Sequence, residues 1–354
     1  MTKKNPQAAV FGGAGQPFSF QSFDRPHLSA GEALVQIDCC TLCGSDLHTI
    51  VGKREVDTPT ILGHEIIGRL VDVTDGLCDM DGEPLNVGDR VSWAIAASCD
   101  DCFFCRVGLP QKCETLFKYG HQTIASAVPL SGGLATHCHL VRGTKIVRIP
   151  DAISDRVASP VNCATATVAA ALRVAGDCEG KSVAVFGTGM LGLTAVAMLR
   201  LRGAAQVVGV DTDPRRLILA RQFGATSTDL QELDSLTHGR GCDLALDMSG
   251  DHRAIQQALA SLRIGGRLVL VGSVFPSEDL PVQPQDLVKR LIRIEGIHNY
   301  TPDDLRAAVD FLEIAHARFP FESLVAREYS LQDLSQAVRE AIDERPIRVA
   351  VRPS

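Results

Sequence analysis

Two textures of apolar and polar positions divide the chain. Up to about Pro150 short alternating stretches are broken by turn residues. Ala33-Leu34-Val35-Gln36-Ile37 and Ile66-Ile67-Gly68-Arg69-Leu70-Val71 predict strands, and Val87-Gly88-Asp89-Arg90-Val91 predicts a turn leading into another. This part reads as mostly β. After about Ala158, β-branched apolar runs recur between helical stretches: Val183 to Phe186, Val207 to Val210, Leu244 to Met248, Leu268 to Val271 and Ile292 to Ile294. That rhythm predicts a parallel sheet with crossover helices. Asp213-Pro214 supplies an N-cap and a first-turn proline for one helix, with Gly224 at its C-terminal end. Thr301-Pro302-Asp303-Asp304 opens a later helix in the same way, and Ser330 to Asp333 opens a last one. After about Gly296 the strand-helix alternation stops, which suggests a return to the first domain.

Composition narrows the function. A chain of 354 residues is too long for one ordinary core. Its 45% hydrophobic and 22% charged content excludes wholesale disorder, collagen and coiled coil. A net charge of −7 disfavours nucleic acid and anionic membranes, so small molecules are the expected ligands. The uncharged run Ser182 to Leu199 is interrupted by Gly187, Gly189 and Gly192, which predicts strand, turn and helix instead of a membrane span. The start Met1-Thr2-Lys3-Lys4-Asn5-Pro6 leads into a polar, Gly-rich segment, so no signal peptide is read and a cytoplasmic location is expected. Twelve cysteines in such a chain point to thiolates used for metal or catalysis, not to disulfides.

Gly187-Thr188-Gly189-Met190-Leu191-Gly192 follows a strand pattern and opens a helix pattern, the placement that a dinucleotide pyrophosphate requires. Asp211 ends the next strand, nineteen residues past Gly192, where a carboxylate would accept hydrogen bonds from a ribose diol. This favours NAD over NADP, since a 2′-phosphate would be repelled. Arg215 and Arg216 could soften that preference, but read more simply as a solvated helix face. The alternative, glycines serving only helix packing and Asp211 lying in a solvated loop, requires strand, glycines, helix and acid to be in register by chance.

Cys99, Cys102, Cys105 and Cys113 form C-x2-C-x2-C-x7-C, four soft ligands in one loop, which suits a closed tetrahedral zinc. An iron-sulfur cluster is the competing metal, disfavoured because the fourth cysteine follows seven residues and precedes Glu114, not proline. A second constellation is dispersed: Cys43-Gly44-Ser45-Asp46-Leu47-His48, Gly63-His64-Glu65 and Asn162-Cys163. Two thiols and an imidazole with an open fourth position make a catalytic zinc site. Spacing alone also allows an ordinary explanation for each, a buried Cys as a small hydrophobe and a His as a satisfied polar residue.

Gly63-His64-Glu65, Val87 to Val91, the four-cysteine loop, the glycine fingerprint and Asp211 together resemble the zinc-dependent alcohol dehydrogenases of the medium-chain dehydrogenase/reductase superfamily. The resemblance covers nearly the whole chain. It implies an α/β fold: a GroES-like mostly-β catalytic domain over 1–158, a Rossmann doubly wound parallel sheet over 159–296, and a return over 297–354. It also implies NAD and two zinc ions per chain. Cys43, His64 and Cys163 would hold the catalytic zinc, and Glu65 would serve as an alternate ligand. Ser45 and His48 would relay the alcohol proton, and Asp46 would orient His64. Cys102 to Cys113 running into Leu116-Phe117-Lys118-Tyr119-Gly120-His121, with Asn162 to Thr167, resemble more closely a bacterial branch often associated with phosphonate metabolism.

Residues implied to line the substrate pocket are Ser273 and His298 with Asn299 on one side, and Trp93, Ile95 and Tyr119 to His121 on the other. Their polarity suits a small polar or anionic alcohol, such as a hydroxyalkylphosphonate, with His298 or His121 as an oxygen partner. Each histidine could equally be a satisfied buried residue. A polyol or cyclic secondary alcohol is the alternative substrate, and a catalytically silent nucleotide binder is the alternative class. The family suggests a homodimer or homotetramer.

Overall fold

Alternation in the first half and continuous apolar runs in the second become two different sheets in the computed structural model, which describes residues 5–276 and 278–353. Met1 to Lys4, part of the start segment read above, lie outside the described residues. Two compact units form. One comprises residues 1–163, 301–316 and 321–354, and the other 164–300 and 317–320.

The first unit is built on the long strand Ala33–Thr41. It pairs antiparallel with Glu65–Val73 on one edge, and with Arg348–Arg352 and His137–Leu140 on the other. Arg90–Trp93, Ile146–Arg148 and Val325–Ser330 complete a seven-stranded sheet. Its inward side chains, among them Ile37, Ile66, Leu70 and Trp93, are buried at 0% exposure, each worth about 1.5–3 kcal/mol of transfer free energy. Register sets up the chemistry. Thr41 faces Glu65, and Ala350 faces Thr41, so the ends of three strands meet where Cys43, His64 and Arg348 emerge.

The expected first boundary at 158/159 falls instead at 163/164. The short 3-10 helix Ser159–Asn162 is tied to the β unit: Ser159 Oγ donates to the Glu65 carbonyl at 2.9 Å, and Asn162 Nδ2 donates to the Trp93 carbonyl at 3.0 Å. The second expected boundary, at 296/297, falls at 300/301, where Thr301 caps the helix Pro302–Ala315. Residues 317–320 group with the second unit, where the Phe223 and Phe319 rings stack at 6.1 Å.

The second unit contains a five-stranded parallel sheet in the order Gln206–Val210, Ser182–Phe186, Cys242–Asp247, Leu262–Leu270, Arg293–Gly296. The chain moves from the second strand of this row to the first, then crosses back to the third, so the order reverses at Ser182–Phe186. A ligand crevice is expected at the carboxyl ends of the strands at such a switch. The uncharged run became the strand Ser182–Phe186 and the helix Met190–Leu201. Among the described residues no single helix is long and apolar enough to cross a membrane.

Candidate active site and zinc centres

The helix Gly44–Ile50 begins at the strand end, with Cys43 as its N-cap. Asp46 joins two of the three predicted ligand segments. Its Oδ2 accepts the Cys43 amide at 3.0 Å, and its Oδ1 lies 3.2 Å from His64 Nδ1 and 3.3 Å from the Gly63 amide. With Nδ1–H spent on Asp46, His64 Nε2 is left as a lone-pair donor, the tautomer a metal needs. The third segment is fixed by Asn162, whose Oδ1 accepts the Ile66 amide at 3.3 Å. Cys43 Sγ and Cys163 Sγ come to 3.9 Å, and these two sulfurs and an imidazole nitrogen of His64 lie within 4.8 Å of one another.

Tetrahedral zinc with Zn–S bonds near 2.3 Å requires sulfur–sulfur edges of about 3.8 Å, so the donor set fits zinc. Burial disfavours a proton on His64, but Asp46 and Cys43 outweigh it and push the imidazole up to about 10. The hydrogen bond from Cys163 holds the Cys43 thiol well below its ordinary range. The same hydrogen bond holds the Cys163 thiol well above its ordinary range, so the two sulfurs share one proton, which a divalent cation would displace on binding.

Glu65 is fully buried and takes three side-chain hydrogen bonds. Arg348 Nε and Nη2 donate to its two oxygens at 2.8 Å each, and Thr41 Oγ1 donates at 2.6 Å. Burial raises its carboxyl above the ordinary value while Arg348 opposes. Arg348 Nη2 also lies 3.8 Å from Cys43 Sγ. Neither Arg348 nor Thr41 was predicted as part of the site. Arg348 stands 283 residues from Glu65, and no local motif marks it. Ser45 Oγ lies 3.3 Å from His64 Nε2, on the metal-facing side of the ring. His48 follows one helical turn later on the same face, its pKa lowered by burial and by Lys53.

The four-cysteine loop closes on itself. Sulfur–sulfur distances are 3.4 Å for Cys113–Cys99, 3.5 Å for Cys102–Cys105 and 4.0 Å for Cys99–Cys105, again near the tetrahedral edge. The Cys99, Cys102 and Glu114 amides donate to Cys113, Cys99 and Cys102 sulfurs at 3.3, 3.3 and 3.5 Å. Such bonds stabilise thiolates. Four protein donors fill the coordination sphere, so this site fits a structural ion. Cys113→Ser is expected to remove one zinc per chain and to cost about 3 kcal/mol, or roughly 6–12 °C in Tm. Metal analysis with a thermal melt checks it, and unchanged zinc content with an unmoved Tm would contradict it.

In the second unit Gly187 has φ +90, and a Cβ there would lie 2.9 Å from the Ser249 amide. A Cβ on Gly192 would lie 1.9 Å from the Gly187 carbonyl, so neither position accepts a side chain. Asp211 Oδ2 accepts the Thr188 amide at 2.7 Å and its hydroxyl at 3.2 Å, while Oδ1 accepts the Asp213 amide at 2.9 Å. The carboxylate therefore braces the glycine loop, with lone pairs left for a diol. Arg215 pairs with Asp213 on the surface. Arg216 departs from the solvated-face reading: it is half-buried, 3.8 Å from Asp211, and its Nε is buried without a partner.

The residues expected to line a substrate pocket are divided between the units. Ser273 donates to the buried Asp247 at 3.0 Å, and His298 is exposed, both in the second unit. In the first unit Trp93 and Tyr119 are fully buried and pack edge to face at 5.9 Å. The Tyr119 hydroxyl is committed to Thr144 Oγ1 at 2.6 Å and the Val141 amide at 3.0 Å, so it is not offered to a substrate. Ile95 is 7% exposed, and its carbonyl accepts the Tyr119 amide. His121 is the member that reaches the candidate metal donors, its ring 5.8 Å from that of His64.

The comparisons with known proteins match this architecture. Residues 29–151 match the alcohol dehydrogenase GroES-like domain, and residues 191–313 match the zinc-binding dehydrogenase domain. An alcohol dehydrogenase of Geobacillus stearothermophilus is 33% identical over 86% of this chain and 88% of its own. A sorbitol dehydrogenase of Bacillus subtilis is 29% identical over 99% of this chain and 98% of its own. A crystal structure of an alcohol dehydrogenase from Thermotoga maritima superposes with a TM-score of 0.94 at 28% identity, covering 99% of this chain and 100% of that one. With both domain types present and a relative of this similarity along most of its length, the chain belongs to the zinc-dependent alcohol dehydrogenases of the medium-chain dehydrogenase/reductase superfamily.

Proposed function

We propose that this enzyme transfers hydride between NAD(H) and a small polar alcohol or aldehyde at Cys43, His64 and Cys163. The observation that carries the reading is the convergence of those three donors with Asp46 fixing the His64 tautomer. A zinc ion held there supplies Lewis acidity that lowers the pKa of a bound alcohol. Ser45 Oγ accepts the hydroxyl proton from the substrate, and its own proton passes toward His48 and solvent. Burial keeps His48 neutral near neutral pH and so able to accept that proton. Gly187 to Gly192 would hold the dinucleotide, whose nicotinamide would supply the hydride acceptor for the carbinol carbon.

Two substrate classes are supported by different observations. Similarity to the sorbitol dehydrogenase along the full length favours a polyol or secondary alcohol. A hydroxyalkylphosphonate or its aldehyde rests on the resemblance of the Cys102 to His121 and Asn162 to Thr167 strings to a branch associated with phosphonate metabolism. Initial rates across a panel of polyols, simple alcohols and hydroxyalkylphosphonates, with each dinucleotide, separate them. No turnover of any member by protein carrying both zinc ions would sustain the silent-binder alternative instead. The working form is a homodimer or homotetramer.

Asp211 sets the cofactor preference in this reading. A carboxylate accepting from a ribose diol contributes about 1.5–3 kcal/mol, so Asp211→Ala is expected to raise the KM for NAD by roughly 10- to 100-fold. The KM for NADP should rise much less, because Arg216 is then free to meet a 2′-phosphate. Steady-state kinetics with both dinucleotides checks this, and equal losses would reduce Asp211 to a brace for the glycine loop.

A further inference from the structure

Beside the zinc ligands lie two cations that the hydride chemistry does not use. Arg54 and His121 line a cavity of 670 Å³ together with Thr49, Thr58 and Phe11, a volume that suits a small-molecule site. Arg54 is half-buried, and its backbone amide donates to the His48 carbonyl at 3.2 Å, which places it beside the proton relay. Glu55 and Asp57 are exposed on the rim of the same cavity. Arg54 nevertheless pairs with neither, and among the described residues it makes no ion pair.

Lys118 is half-buried in the strand Phe117–Lys118, three residues before His121. It too makes no ion pair among the described residues. Burial and the charge of Arg54 bring its ammonium down to about 8, while the Cys163 and Cys43 sulfurs act in the opposite direction. Lys118 does not line the cavity itself and is tied to it through His121, three residues along the chain. His121 completes the wall with its Nδ1 committed to the Tyr119 carbonyl at 2.8 Å. Two half-buried cations, neither in an ion pair among the described residues, repel one another, and burying them is costly unless a counter-ion arrives. In a substrate cavity the ordinary counter-ion is the substrate.

We propose that Arg54 and Lys118 anchor a negatively charged group of the substrate, making the enzyme selective for alcohols that carry a carboxylate or phosphonate. The inference rests on the dehydrogenase reading and adds the substrate's charge. Arg54 presents a planar fork to an oxyanion, and Lys118 a point charge. The anion is held on the cavity side of His64, leaving the substrate's hydroxyl to reach Ser45.

The test compares zinc-loaded wild type with Arg54→Met, Arg54→Lys and Lys118→Met on three alcohols of matched length: 2-hydroxyethylphosphonate, 3-hydroxypropanoate and 1,3-propanediol. Wild type is expected to favour at least one anionic alcohol over the diol by about 100-fold or more in kcat/KM. That ratio should collapse toward one in each Met variant and recover in part in Arg54→Lys. Calorimetry with methylphosphonate and acetate, which have no hydroxyl to oxidise, should show binding to wild type that is lost in the Arg54→Met/Lys118→Met double variant. Whichever of the two anions binds identifies the charged group. A wild type that prefers the diol, or a ratio unmoved by substitution, overturns the proposal. Failure to oxidise any of the three while the anion still binds overturns the dehydrogenase reading and leaves the anion site standing.

Discussion

Replacing Cys43 by Ala is expected to lower kcat/KM by at least about 1,000-fold, because two remaining donors cannot hold an electrophilic cation that supplies some 4 kcal/mol of transition-state stabilisation. The loss should fall on chemistry and not on the fold. Alanine gives up the long sulfur contacts to Cys163 and Arg348 but keeps the amide that donates to Asp46. Dinucleotide binding should also persist, because Gly187 to Gly192 and Asp211 belong to the other unit. Three measurements define the outcome: zinc per chain, kcat/KM on the best alcohol of the panel, and fluorescence titration with NADH. A variant that keeps a tenth of its activity at unchanged zinc content would show that the reaction does not depend on this triad.

Arg348→Met is expected to give the largest loss of stability of any single change at the site. It strands the Glu65 carboxylate, which is 0% exposed and takes both of its charged hydrogen bonds from Arg348. Breaking a buried ion pair from one side costs about 3–5 kcal/mol, or roughly 10 °C in Tm for a unit of this size. Arg348→Lys should recover only part, since an ammonium cannot reproduce two parallel bonds to one carboxylate. The informative variant is Arg348→Met with Glu65→Gln. Removing both charges together should cost less than the Arg348 change alone, because no uncompensated ion remains. Thermal melts of the four proteins check this. If the single Met variant melts with the wild type, the pair contributes nothing measurable and Glu65 is free to move toward the metal.

The parts of this enzyme legible from residues alone are those whose physics is local. The glycine fingerprint is readable because a tight turn and a helix packed against a strand demand glycine within six consecutive positions. Gly192 shows the demand directly, with no room for a Cβ beside the Gly187 carbonyl. The four-cysteine loop is readable for the same reason, since all its ligands fall within fifteen residues. Apolar runs in the second half located the five strands of the parallel sheet, because strands covered on both faces leave a nearly continuous signature. The domain boundary was displaced by five residues, because the 3-10 helix Ser159–Asn162 is held to the β unit by side-chain hydrogen bonds that no sequence pattern reports.

Arg348, Arg54 and Lys118 had no such signature. An arginine 283 residues from its carboxylate looks like any other basic residue until antiparallel pairing of Arg348–Arg352 with Ala33–Thr41 brings it to the strand end. Arg54 and Lys118 carry no sequence signal of a role, and only folding leaves them half-buried without an acidic partner among the described residues. Sequence by itself determined the class of fold, the donors available to two metals and the dinucleotide loop, since each depends on neighbours along the chain. Only the tertiary structure decided that Glu65 is bound to Arg348 and that Arg54 and Lys118 are left half-buried without an ion pair among the described residues. Charge acts through space, and its consequences depend on which groups burial leaves without a partner.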